Sequence, residues 1–74
     1  MNTWSEITDG TAIGPVVPVI VGGIVLATLY ALWSDQDGVM VDPVLHEHAD
    51  ALSGVQALAL ADALREVGGI QPPA

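Results

Sequence analysis

The amino-acid sequence predicts an all-α chain: a single transmembrane helix followed by an amphipathic extramembrane helix or helix pair. Three observations carry that prediction. The first half holds an unbroken uncharged run, its apolar part matches the length of one bilayer crossing, and the second half shows helical amphipathic spacing bounded by capping residues.

Composition sets the frame for these elements. The chain has 74 residues, 51% of them hydrophobic but only 4% aromatic, with neither Phe nor Cys. A water-exposed chain of this length is near the lower limit for burying enough apolar surface to offset its ordering entropy. The absence of cysteine removes disulfide staples, thiolate metal sites and cysteine nucleophiles together. What remains is Val, Ile, Leu and Ala, a mixture that suits a helix in lipid better than an aromatic-centred core. Nine acidic residues against one basic residue, Arg65, give a net charge of −8. Nucleic acid is therefore not an expected partner, since one arginine cannot displace the counterions around phosphate. Anionic headgroups would repel the flanks on the same ground.

Residues 1–14 form a short acidic lead with Trp4, Glu6 and Asp9 and a turn signal at Asp9-Gly10. The lead lacks the basic residues of a secretory signal, so cleavage is not expected. Positions 10–34 are 25 consecutive residues without a charge. Their most apolar part, residues 15–33, would reach about 28 Å as a helix, close to the ~30 Å of a hydrocarbon core. Pro15 and Pro18 fall in the first turn of such a helix, where their missing N–H groups break no internal bond. Trp4, Tyr30 and Trp33 are placed at the membrane interfaces, where amphipathic rings are favoured. Gly23, Ala27 and Ala31, four apart, form a small-residue stripe for helix packing, with Thr28 beside it as a hydrogen-bonding partner. The competing reading of this segment is a Val-rich strand or buried helix in a soluble oligomer. The β-branched residues favour a strand, whereas the length of the run and the Gly22-Gly23 pair weigh against it.

Residues 34–43 read as an acidic turn. Asp42-Pro43 then has the form of a helix start, and residues 44–68 as an amphipathic helix or, because Ser53-Gly54-Val55-Gln56 has capping-box spacing, as a helix pair broken near Gly54. Gly68-Gly69 supplies the stop, and the Pro-rich end, residues 69–74, prevents resumption. On a helical wheel Leu45, Leu52, Ala59, Leu60, Ala63 and Val67 share a face, which is the expected partner-docking surface, because one amphipathic helix is marginal in water unless covered.

No catalytic constellation is legible, and an enzyme is not expected. Gly22-Gly23 lacks the Lys, Ser or Thr of a phosphate loop. His46-Glu47-His48, with Asp42 and Asp50 nearby, invites a metal reading, but on a helix the two imidazoles diverge and His46 with Asp50 leaves two ligands. No metal and no cofactor are expected, and a pigment-ligating histidine is missing from the apolar run. The acidic lead with Ile7-Thr8-Asp9-Gly10 and the Gly-bearing apolar stretch resemble filamentous-phage coat proteins. Their basic, DNA-facing C-terminal segment is replaced here by an acidic one, and that family is not assigned.

The functional expectation is a small single-pass membrane protein, a non-catalytic accessory subunit of a larger membrane complex such as a respiratory, photosynthetic or transport assembly. The alternative is a structural membrane or coat protein of a virion or filament, present in many copies. Expected partners are integral membrane subunits or copies of itself, together with the lipid bilayer. The N-terminus is read as cytoplasmic and the C-terminal tail as extracytoplasmic, because an acidic, Lys-free tail meets less resistance to export.

Overall fold

A computed structural model describes residues 4–46 and 51–73. It replaces the all-α expectation with an antiparallel three-stranded sheet and one helix: β1 (Thr11–Val21), β2 (Ile24–Ser34), β3 (Gly38–Leu45) and α1 (Gly54–Gly68), with sheet order β1-β2-β3. Among the described residues no helix is long and apolar enough to cross a membrane. The single-pass architecture, the transmembrane helix over 15–33 and the single-pass membrane localisation are therefore corrected.

The physical reason lies at Gly22-Gly23. The uncharged run is two 11-residue strands joined by a two-residue loop, with Val21 facing Ile24 across it. Gly22 (φ 59°) and Gly23 (φ 79°) both adopt positive φ, as a type I′ hairpin turn requires. Once the turn forms, the β-branched residues on either side sit where their stiff χ1 angles fit a pleated surface. Gly23→Ala is expected to cost about 1–2 kcal/mol, the penalty for a side chain held in the left-handed region, read as a lowered midpoint in chemical denaturation. An unchanged midpoint would show that the hairpin does not close on this turn.

The prolines find a different use from the one expected. The His46 amide donates to the Leu26 carbonyl at 2.9 Å. Counting the antiparallel alternation from that bond, Pro43 opposite Leu29 and Pro18 opposite Thr28 both fall in pairs that exchange no hydrogen bonds with β2. Their imino nitrogens therefore face the two outer edges of the sheet, where a missing N–H costs the ladder nothing and blunts the edge. Pro15 lies in the irregularity between Ile13 and Val16. Asp42-Pro43 is strand rather than helix start, because Asp42 pairs with Tyr30 and β3 continues to Leu45.

The lead covers part of the β1 edge. Asp9 (φ 54°) and Gly10 (φ 74°) turn the chain, with Thr8 and Thr11 exchanging both backbone hydrogen bonds, and Ser5 pairs with Ile13. This brings Trp4 back over the sheet, where it is buried and donates its indole N–H to the Gln71 carbonyl at 2.7 Å. Gly14 makes room for the ring: a Cβ there would lie 2.7 Å from Trp4 Cζ3.

The helix begins as its sequence implies. Ser53 accepts from the Gln56 amide and Gln56 Oε1 accepts from the Ser53 amide, a reciprocal capping box. Gly69 closes the other end, its amide donating to the carbonyls of Arg65 and Glu66. The helix lies on one side of the sheet, where Val67 joins Ala12, Val19, Ala27, Leu29 and Ala31 in the core.

Candidate interaction surface

Strand alternation divides the sheet into two faces. Facing the helix are Val17, Ala27, Leu29, Ala31, Trp33, Val39 and Val41, all in or against the core. Facing away are the intervening residues, and here the chain is apolar again. Ile13, Val16 and Ile20 on β1 are 62%, 53% and 57% exposed, and Tyr30 on β2 and Val44 on β3 continue the surface across the sheet. A sheet covered on one side ordinarily presents polar residues on the other. This one does not: among the described residues Asp42 is the only charge on the open face. Thr28 and His46 add a polar pair near its rim, Oγ1 and Nε2 being 3.0 Å apart.

Residues singled out in the sequence are redistributed by this geometry. Gly23 sits in the hairpin turn, while Ala27 and Ala31 share the helix-facing side of β2 and are fully buried, so their small size lets α1 and Trp4 approach the sheet. Thr28 lies on the opposite side. Trp4 and Trp33 pack on the helix side, Tyr30 on the open side. Leu60, Ala63 and Val67 form the inner face of α1 together with Leu64, and what they cover is this chain's own sheet. Ala59 and Leu52 are half-buried, and Leu45 is exposed at the end of β3. Glu47, His48 and Asp50 lie outside the described residues, so the His46-centred ligand set is not assembled here. Among the described residues no three His, Asp or Glu side chains gather as a metal site would need.

Two shallow concave features lie among the described residues. A groove of about 280 Å³ runs between Pro15 and Val17 of β1 and Glu66, Val67 and Ile70, with one carboxylate as its only ionisable group. A second depression is lined by Asp62, Arg65, Glu66 and Gly69. Arg65 is engaged there with Asp62 at 3.0 Å, both well exposed.

The open face was missed in the sequence because its signal is negative. A strand apolar on one side alternates, whereas one apolar on both sides reads as an unbroken apolar run. Comparison with protein-family models, with curated proteins and with solved structures finds no match to this chain.

Proposed function

We propose that this protein is a non-catalytic structural subunit that joins a larger protein assembly through the uncovered apolar face of its sheet. The observation that carries the reading is the exposed row of Ile13, Val16 and Ile20, with Tyr30 beside it on β2 and Val44 beyond Thr28 on β3, on a chain whose other sheet face is closed by its own helix. Contiguous exposed apolar surface of this kind marks interaction sites on small proteins. The two grooves among the described residues, each shallow and without a nucleophile–base pair, support a binding role over a catalytic one. The net charge of −8 points to protein rather than nucleic acid across that face.

Gentle extraction of the tagged protein from its own cells, followed by sizing, tests this. The wild-type chain is expected in a particle larger than itself, and a variant carrying Val16→Gln with Ile20→Gln is expected to elute alone. Recovery of the folded wild-type chain as a free monomer would end the proposal.

A further inference from the structure

The geometry points to one occupant for the open sheet face: a second copy of this chain, packed sheet against sheet with the two helices outermost. The inference rests on the assembly reading above and names the partner.

Three features of the molecule favour a copy. The first is edge chemistry. Pro18 and Pro43 blunt the two outer edges and the lead occupies part of one, so lateral strand addition is obstructed and the sheet associates through its open face rather than its edges. The second is charge. A chain of net −8 repels its own copy everywhere except across a neutral patch. Here Glu6, Asp9, Asp35 and Asp37 lie in the lead and the β2–β3 loop, and Asp62 and Glu66 on α1. Among the described residues only Asp42 accompanies the open face. A basic partner would find a single carboxylate, Asp42, on it, whereas a copy can pack across the apolar residues around it.

The third is size. The molecule measures 38 × 20 × 20 Å, so one whole long side bounds the contact at roughly 760 Å² per copy, or about 1,500 Å² for two, and a contact covering most of it reaches the ~1,200 Å² lower end of stable specific complexes. Sheets packed this way sit ~10 Å apart with strand directions within about 30°. The result is a four-layer particle, helix–sheet–sheet–helix. It gives a chain of this length the second core surface that small domains otherwise obtain from disulfides or metals.

Sedimentation equilibrium of the purified full chain tests the inference, with NaCl raised from about 0.05 to about 1 M. Screening of two like-charged chains is expected to lower the dimer dissociation constant as salt rises. Val16→Gln with Ile20→Gln, neutral and on half-exposed positions, is expected to keep the circular dichroism of the fold and weaken dimerisation about a hundredfold or more. Val55→Gln with Leu58→Gln, on the outer face of α1, is expected to leave the dimer intact.

A wild-type chain that stays monomeric at millimolar concentration across the salt range overturns the second-copy inference. A dimer indifferent to the β1 variant overturns it as well. If the monomeric chain is nevertheless extracted from cells in a larger particle that the β1 variant leaves, the assembly reading stands and the occupant is an unlike protein. If it is extracted alone, both fall.

Discussion

Trp4→Ala is expected to destabilise the protein by about 3–5 kcal/mol, the range for truncating a buried large aromatic. The indole is buried against Gly14 and Ala31 on the helix side of the sheet, and its N–H holds the Gln71 carbonyl at 2.7 Å. Truncation therefore removes packing and leaves that carbonyl without this donor. For 74 residues a typical total stability is about 4–11 kcal/mol, so the variant stands at the edge of unfolding. Urea denaturation followed by circular dichroism reads the change. Gly14→Ala should act on the same contact from the other side, because its Cβ would sit 2.7–2.9 Å from two indole carbons. The two substitutions together should cost less than the sum of the singles, since each disrupts one shared interaction. Strict additivity, or a loss under about 1 kcal/mol for Trp4→Ala, would show that the lead does not dock on the sheet.

Leu29→Ala is expected to cost about 2–5 kcal/mol. Leu29 is fully buried at the middle of the central strand, flanked by Val17 and Pro43, with the helix above it. Neighbours on two strands and the helix restrain the collapse that would fill the void, which places the cost in the upper part of that range. Val55→Ala on the outer side of α1, 71% exposed, should stay within about 0.5 kcal/mol and serves as the contrast. Equal effects at the two positions would mean that α1 does not cover this face of β2.

Cap and turn signals were the more legible. Ser53 and Gln56 form the capping box their spacing implies, Gly68-Gly69 stops the helix, and Asp9-Gly10 makes the turn of the lead. These are local signals, complete within a few residues, and tertiary context did not oppose them. The first half failed at a specific degeneracy. Residues 15–33 have the length and apolarity of a bilayer helix, but those properties describe equally well two strands that are apolar on both sides. Gly22-Gly23, weighed as a weakness of a single strand, is the hairpin that makes two. Pro15 and Pro18 fit the first turn of a helix and also an edge strand, so they do not arbitrate. Leu60, Ala63 and Val67 were recognised as a face in need of cover. That the cover is β1 and β2 of the same chain follows only from long-range pairing, which no local pattern encodes. The open sheet face was illegible for the same reason: which apolar residues remain uncovered is decided after the helix has chosen a side.

The Trp4–Gln71 hydrogen bond spans 67 positions. During synthesis the hairpins can assemble as soon as each has emerged, because both are built from neighbouring segments. The layer they present to α1 stays bare until the helix is made, and the indole waits longer still, for a carbonyl near the other extreme of the chain. Maturation is thus gated by translation: final closure must follow the codon for Gln71, and a chain halted before α1 is made lacks the layer that covers one side of its sheet.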